Sequence, residues 1–471
     1  MSDADIAFMP VAELVKKFRA KKISPVEATK IALARIKRHN GKINAFCYVD
    51  EDGALKAAKA SEKRWMKRKP LGPIDGVPLG VKDTQFAKGM PTRFGSKTTG
   101  TEPADVDTTV TLHCRNSGAV LLGKTTNPEF AIGPTTNSPL TGKTTNPWDP
   151  SKHAGGSTGG GAAAVAAGLG NTGLATDAGG STRIPAALCG IVGFKATNYR
   201  VATFPPAGMP GLSCPGAVTH TVTDTALMMN VLAQPDPRDW TASKFDDVDY
   251  LDKLNSGIKG LKVAFSPNLN GQAKYVDPEV AAAVAAAAKA FKKLGCKVVV
   301  ADPKIENPVP ILSAYLTSRM AYRVGKMTPE QRAVIGPSLG AIVQRGLKLS
   351  VADLIEADEK RQTLAKALND FMQEYDLLLT PTLTVPAFEA DRVVPKEFEQ
   401  YPDPRMWVPF CSPFNLSMQP AITLPCGFTK AGLPVALQIV GPRHQDALVL
   451  RAARAYERLN PLYERRPARF E

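Results

Sequence analysis

Residues that bind metals or form disulfides are sparse in this chain of 471 residues. The five histidines show no HExxH motif or other ligand spacing, so a structural or catalytic zinc site has little support. The seven cysteines are scattered, odd in number and never arranged as CxxC, which predicts reduced core residues. We therefore expect no metal site.

Long hydrophobic runs are also missing. No segment approaches the roughly 18 to 20 consecutive apolar residues of a membrane span. The N-terminus MSDADIAFMP lacks the basic and apolar regions of a signal peptide, so a cytoplasmic location is expected. The net charge of +15 is spread over amphipathic helices, with tight clusters only at residues 63–69 and at the C-terminus. This distribution favours a solvated basic face over a surface that binds nucleic acid or a membrane.

The arrangement of apolar segments predicts an α/β fold. Ser24-Pro25-Val26-Glu27 resembles a capping box with proline at the first helical position, which predicts an amphipathic helix. Helical patterns alternate with short apolar runs typical of strands, at VPLGV, AVLL (119–122), LKVAF (261–265), KVVV, DLLLT (376–380) and PVALQIV (434–440). We expect helices covering a large mixed sheet, with residues 305–350 forming either a mobile cap or an ordinary helical connection.

Residues 118–125 match the phosphate-loop pattern GxxxxGK[ST] letter for letter. A phosphate loop follows a strand, whereas here the interior AVLL is itself the predicted strand and the preceding segment is helical. Pro128, four residues after Lys124, also disfavours an immediately continuing helix. The segment is therefore interpreted as a strand and turn.

Residues 155–159 match GxSxG, the nucleophile elbow of α/β-hydrolases. In that interpretation Ser157 is the nucleophile of an esterase and His444 its base. An elbow follows a hydrophobic strand, however, and the segment before Ser157, KTTNPWDPSKHA, is polar and rich in turn residues. The esterase stays as an alternative function.

A third constellation joins Lys82, Ser157 and Ser181. Two glycine-rich serine turns, HAGGSTGGG and TDAGGSTRIPA, lie 24 residues apart (157 to 181), and a strand-end lysine precedes them. A serine hydroxyl needs a base, and a buried lysine with a lowered pKa can be that base through a bridging serine. Glycines let the N–H groups of Ala178, Gly179, Gly180 and Ser181 converge on an oxyanion.

These segments resemble the amidase signature hydrolases, from about residue 10 to the C-terminus. The most specific part runs from GGSTGG through TDAGGSTRIPA to GIVGFKAT. The flanking segments GVPLGVKD, GKTTNPEF, NPWDPSKHAGG, LLLTPT and PFNLSMQPAITLPCGFTKAGLPVALQIVGP are also similar to the family. The resemblance implies a single αβα domain over residues 1–471, with a signature core at about 70–200.

By position, the resemblance implies that Lys82 is the base, Ser157 a bridging serine after a cis peptide bond, and Ser181 the nucleophile. Thr158 departs from the family, because many members have a second serine there. Asp177 and Arg183 flank the nucleophile turn and in the family brace this loop, although a plain surface ion pair is the alternative.

The implied activity is hydrolysis of a carboxylic amide, ester or carbamate through an acyl-enzyme, with no metal or organic cofactor. The expected partner is a small aryl or aliphatic amide, and a homodimer stays open. Met406, Trp407 and Phe410 are predicted to form the rim of a hydrophobic substrate pocket. The family also includes the glutaminase subunit of a tRNA-dependent amidotransferase, which is a second alternative.

Overall fold

The computed structural model describes residues 1–206 and 209–471. Within these ranges the strands, in chain order, are β1 (Phe46–Val49), β2 (Pro78–Lys82), β3 (Val120–Thr125), β4 (Asn137–Ser138), β5 (Gly142–Lys143), β6 (Thr172–Asp177), β7 (Val192–Lys195), β8 (Cys214–Thr219), β9 (Lys262–Phe265), β10 (Lys297–Val300), β11 (Leu377–Pro381), β12 (Ala421–Phe428) and β13 (Pro434–Val440).

The helices in the same ranges are α1 (Asp3–Ala7), α2 (Val11–Arg19), α3 (Pro25–Ile43), α4 (Glu51–Met66), α5 (Thr109–Asn116), α6 (Gly159–Ala166), α7 (Arg183–Cys189), α8 (Val222–Leu232), α9 (Pro278–Lys293), α10 (Pro308–Gly325), α11 (Pro329–Ala333), α12 (Pro337–Gly346), α13 (Val351–Glu374), α14 (Ser412–Leu416) and α15 (Asp446–Leu459). Short 3₁₀ helices occupy Glu129–Ala131, Lys396–Phe398, Leu462–Glu464 and Ala468–Phe470.

Eleven of the described strands form one mixed sheet in the order β1-β3-β2-β6-β8-β7-β12-β13-β11-β9-β10. Strands β3, β2 and β6 are parallel neighbours, as are β11, β9 and β10, and the central pairings are antiparallel. Strands β4 and β5 form a separate hairpin. Because β2 and β6 are parallel, their carboxyl ends meet at one edge of the sheet, where active sites of α/β folds commonly lie.

Helices cover both faces of this sheet. Along β3, Val120 and Leu122 belong to an apolar cluster with α3 and α6, whereas Leu121 packs into a second cluster with α2, α8, α9 and α15. Successive side chains of a strand point to opposite faces, so these are the two sides of one sheet. The prediction of a single α/β domain with a large mixed sheet is confirmed.

Local signals in the sequence predict several element boundaries correctly. Ser24 Oγ accepts a hydrogen bond from the Glu27 N–H at 3.1 Å, and Glu27 caps the Ser24 N–H in return, as expected of a capping box that begins α3. The six predicted strands are all present, as β2, β3, β9, β10, β11 and β13. The helix expected before the phosphate-loop pattern is present as α5, spanning Thr109–Asn116.

Residues 305–350 are mostly helical and contain α10, α11 and α12. Met320 and Val324 of α10 share an apolar cluster with Leu339 and Val343 of α12. The segment therefore has packed apolar contacts of its own, and its mobility as a cap stays a prediction.

Candidate active site

Lys82, the last residue of β2, is fully buried and donates three hydrogen bonds. Its Nζ atom lies 2.8 Å from Ser157 Oγ, 2.9 Å from Thr158 Oγ1 and 2.9 Å from Thr176 Oγ1. All three acceptors are hydroxyl oxygens, so no carboxylate pairs directly with this ammonium group. The amine is thus held in place without a counter-ion in contact.

Burial lowers the pKa of Lys82 from its usual 10.5 to about 7, because the charged ammonium form loses its hydration. The negative charge of Asp177 opposes this shift. A substantial fraction of the amine is consequently neutral near pH 7 and able to accept a proton.

Ser157 and Ser181 lie on two loops that touch. Ser157 follows a cis Gly156–Ser157 peptide bond, and the Thr158 N–H donates to the Ser181 carbonyl at 3.1 Å. A side chain at Gly156 would meet the Thr135 backbone at 2.8 Å, so this close approach requires glycine. Ser157 is buried, whereas Ser181 is partly exposed.

Among the described residues, no hydrogen bond joins the hydroxyl groups of Ser157 and Ser181. The backbone contact at Thr158 nevertheless keeps the two loops together. A serine hydroxyl can move between staggered rotamers, so rotation of either side chain changes the distance between the two hydroxyl groups.

Asp177 and Arg183 form an ion pair in which both side chains are fully buried. Arg183 Nε and Nη2 each lie 3.0 Å from an oxygen of the Asp177 carboxylate. Burial alone would raise the pKa of Asp177, but the charge and hydrogen bonds of Arg183 more than offset it and lower this pKa. The alternative of a plain surface ion pair is therefore wrong.

Sequence reasoning missed three further partners of Arg183. Its guanidinium also donates to Asn415 Oδ1 at 2.6 Å, Gln438 Oε1 at 2.7 Å and the Cys411 carbonyl at 3.0 Å. One signal was available in the sequence: Gln438 interrupts the otherwise apolar strand PVALQIV, and a buried amide needs hydrogen-bond partners.

The N–H groups proposed for an oxyanion hole divide into two sets. Ala178, Gly179 and Ser181 line a cavity, but Gly180 does not. The Gly180 N–H donates to Asp177 Oδ1 at 2.7 Å, so it is already occupied in this geometry. The Gly180 N–H is therefore removed from the predicted set, and an oxyanion hole formed by the N–H groups of Ala178, Gly179 and Ser181 stays a prediction.

The cavity beside Ser181 has a volume of about 90 Å³. Its wall is mainly apolar and comes from six parts of the chain: Ala131, Ile132, Gly133, Pro134, Ala178, Gly179, Ser181, Ile184, Met209, Val309, Leu312, Leu316, Ile342, Arg345, Pro404, Arg405, Val408 and Ser412. Helices α10 and α12 thus contribute to the wall, which the sequence did not indicate.

Met406, Trp407 and Phe410 do not line this cavity, so the prediction of a pocket rim at these side chains is wrong. Trp407 is fully buried and packs edge-on against Phe388, with ring centroids 5.2 Å apart. Phe410 is also fully buried, in a different apolar cluster. The segment does reach the cavity, but through the neighbouring Val408.

The structure gives no support to the two motif-based alternatives. His444 is exposed, and among the described residues its ring makes no hydrogen bond to Ser157 or Ser181. Bends, and not a strand, precede Ser157. Lys124 of the phosphate-loop pattern lies inside β3, fully buried, and donates to Thr92 Oγ1 at 2.9 Å.

In residues 1–206 and 209–471, no three His, Cys, Asp or Glu side chains cluster in a way that could hold a metal ion. In the same ranges, no helix combines the length and apolar character needed to cross a membrane.

Comparison with known proteins identifies the family. The family model described as Amidase matches residues 27–450. The chain belongs to the amidase signature family. It is accordingly a hydrolase that acts on carbon–nitrogen bonds, and the resemblance inferred from the sequence is confirmed.

Relatives of this amidase fall into two groups. It is 36% identical to a subunit of glutamyl-tRNA(Gln) amidotransferase from Myxococcus xanthus, over 97% of this chain and 98% of that protein. It is 34% identical to an acylamidase of Rhodococcus erythropolis, over 99% of both chains. Among solved structures, a bacterial aryl acylamidase of the amidase signature family superposes with a TM-score of 0.90 at 29% identity, covering 97% of this chain and 98% of the other.

Proposed function

We propose that this protein is a stand-alone amidase that hydrolyses a carboxylic amide with a hydrophobic or aryl group, through an acyl-enzyme on Ser181. The observation that carries the proposal is the 2.8 Å hydrogen bond between Lys82 Nζ and Ser157 Oγ, made by a buried amine whose pKa is lowered to about 7. In this pair Lys82 is the base, and the Ser157 hydroxyl connects it to the loop that carries Ser181.

Acylation begins when Ser181 Oγ attacks the amide carbonyl carbon. The proton of Ser181 passes to Ser157 Oγ as the proton of Ser157 passes to neutral Lys82. The N–H groups of Ala178, Gly179 and Ser181 donate to the oxyanion that forms. The carbon–nitrogen bond then breaks, the proton returns along the same path to the leaving amine, and an ester on Ser181 remains.

Deacylation repeats these steps with water as the nucleophile. Water gives its proton through Ser157 to Lys82 and attacks the Ser181 ester carbonyl. The carbon–oxygen bond to Ser181 breaks, Ser181 regains a proton by the same relay, and the carboxylic acid leaves. Every proton that enters the relay leaves it again, so no cofactor is needed.

The wall of the cavity supports a hydrophobic substrate. Val309, Leu312, Leu316, Ile342 and Val408 line it. An apolar wall stabilises aliphatic or aryl groups, whereas the α-ammonium group of glutamine would need an acidic partner, and no acidic side chain lines the cavity among the described residues. The similarity to an acylamidase and to an aryl acylamidase agrees with this assignment.

The decisive experiment is a release assay over para-nitroanilides, carbamates, esters and glutamine, with the Ser181→Ala variant as the matched control. We expect turnover of acyl anilides by the natural chain, and loss of both turnover and fluorophosphonate labelling in Ser181→Ala. Labelling of that variant at Ser157 instead would transfer the nucleophile role to Ser157.

The similarity to the amidotransferase relative favours a second candidate, a glutaminase that works in a complex with other proteins. This candidate predicts that glutamine is the best substrate of the panel and that a partner protein co-purifies with the chain. Fast anilide hydrolysis by the isolated chain, with little glutaminase activity, would exclude it.

A further inference from the structure

Two arginines line the otherwise apolar cavity. Arg345 lies in the last turn of α12, and Arg405 lies in the loop that precedes α14. Among the described residues that line the cavity, none is acidic. Both arginines are partly exposed, and a cationic group at the edge of an apolar cavity can bind the charged end of a substrate whose body lies against the wall.

Arg405 has its partner in the protein. Its Nε lies 2.9 Å from Asp403 Oδ1 and its Nη2 lies 2.7 Å from Asp403 Oδ2, which is a bidentate pair. Nη2 also donates to Ser313 Oγ at 2.6 Å. This guanidinium is therefore fixed and its charge is balanced.

Arg345 has no such partner. Its side chain donates no hydrogen bond and makes no ion pair within the described part of the chain; its Nε atom is buried, whereas the residue as a whole is partly exposed. Burial would raise the pKa of Asp403, but the hydrogen bonds and charge of Arg405, with a smaller contribution from the charge of Arg345, lower it. Asp403 is already paired with Arg405, so of the two arginines that line the cavity only Arg345 has no carboxylate bound to it among the described residues.

A second polar group on the same wall is also unsatisfied. Ser412 lines the cavity, is 3% exposed, and its Oγ has no hydrogen-bond partner among the described residues. A buried hydroxyl that has no protein partner is free to donate a hydrogen bond to a group bound in the cavity. The surplus positive charge makes an anionic ligand the best match.

We infer that the substrate carries a carboxylate at the end of its apolar body, and that Arg345 binds this carboxylate. The planar guanidinium fits a carboxylate in a bidentate manner, which makes it a specificity-determining group and not only a source of charge. The inference rests on the proposed amide hydrolysis, because it assigns the far end of the same substrate.

The test compares substrates that differ only in the carboxylate. Glutaryl para-nitroanilide is paired with pentanoyl para-nitroanilide, and N-pentanoyl-4-aminobenzoate with N-pentanoylaniline, so that the charge is placed on either side of the amide. We expect kcat/KM for the charged member of one pair to exceed that of its neutral partner by about tenfold or more.

The Arg345→Met variant should lower this charged-to-neutral ratio by about tenfold to a hundredfold. Arg345→Lys should restore the ratio only in part, because an ammonium cannot form the bidentate contact. Arg319→Met is the matched control: it removes an exposed arginine from α10, in the same helical segment, that does not line the cavity. This control should keep the ratio of the natural chain.

A binding measurement separates this inference from the proposed reaction. Calorimetry of the Ser181→Ala variant compares glutaranilate and N-pentanoyl-4-aminobenzoate with the neutral pentanoylaniline. One of the two anions should bind more tightly than the neutral anilide, and this preference should be lost in Ser181→Ala/Arg345→Met. Equal binding and equal kcat/KM within both pairs would overturn the inference while leaving amide hydrolysis intact. Absence of turnover with preserved anion binding would instead contradict the proposed reaction alone.

Discussion

The Gly180 N–H donates a hydrogen bond of 2.7 Å to the carboxylate of Asp177, the residue that pairs with buried Arg183. A single carboxylate thus holds both the turn before Ser181 and the first residue of α7. Gly180 has a φ of +118°, and a side chain there would lie 2.6 Å from Cys411 Cβ. The turn depends on this glycine and on the ion pair beneath it.

Replacing Arg183 with methionine should lower the free energy of unfolding by about 3 to 5 kcal/mol, because it leaves Asp177 as an unpaired buried charge. The check is urea denaturation followed by circular dichroism. Lys360→Met is the control, since Lys360 forms only an exposed pair with Glu356 and its loss should leave the midpoint unchanged. Equal midpoints for all three proteins would contradict a structural role for Arg183.

Lys82→Ala should reduce kcat/KM for an anilide by about a hundredfold to ten-thousandfold, the usual contribution of a general acid and base. The loss should be much smaller for the matching para-nitrophenyl ester, because a nitrophenolate leaves without a proton. Rates on both substrates, with circular dichroism to verify folding, check this. Equal losses on both would assign Lys82 a structural role.

Activity on a neutral amide should rise with pH through about 7 and then level off. Protonated Lys82 cannot accept a proton, so only the neutral fraction is active, and at pH 6 the rate should be roughly a tenth of the plateau. A pH profile of kcat/KM, taken where chemistry limits the rate, provides the measurement. A flat profile from pH 6 to 9 would contradict Lys82 as the base.

A companion variant tests whether Lys82 causes that profile. Thr176 Oγ1 accepts a hydrogen bond from Lys82 Nζ at 2.9 Å, and an acceptor of this kind favours the charged ammonium. Thr176→Val preserves the shape of the side chain but removes the acceptor, so the acid limb should move to lower pH. An unmoved limb would mean that another group titrates.

The sequence predicts those features of the candidate site that depend on neighbouring residues. It does not predict the features that depend on contacts between residues far apart in the chain. Lys82, Ser157 and Ser181 could be proposed because glycine-rich turns and a strand end are short-range signals, and their catalytic roles stay predictions. The hydrogen bond that occupies the Gly180 N–H could not be predicted, because it depends on the orientation of the Asp177 carboxylate, which is paired with Arg183. Long-range packing decides such orientations, and composition does not report it.

The pocket prediction was wrong for a related reason. Apolar bulk before PFNLSMQP indicates burial, but it does not tell whether a side chain faces a cavity or the core. Trp407 faces the core, and its carbonyl accepts a hydrogen bond from Thr384 Oγ1 at 2.8 Å. The wall is instead formed partly by residues of α10 and α12, about 60 to 100 positions earlier, such as Leu312.

Leu312 and Trp407 therefore offer a paired test of where the acyl pocket lies. Leu312→Ala removes bulk from the cavity wall beside Gly179, so it should shift the kcat/KM ratio toward an octanoyl anilide over acetanilide by about tenfold or more. Trp407→Ala empties a core site, so it should lower the free energy of unfolding by about 3 to 5 kcal/mol and leave that ratio unchanged.

Kinetics on both anilides, with thermal denaturation of each variant, distinguish the two roles. A changed ratio in Trp407→Ala, with an unchanged ratio in Leu312→Ala, would return the pocket to the segment near residue 407.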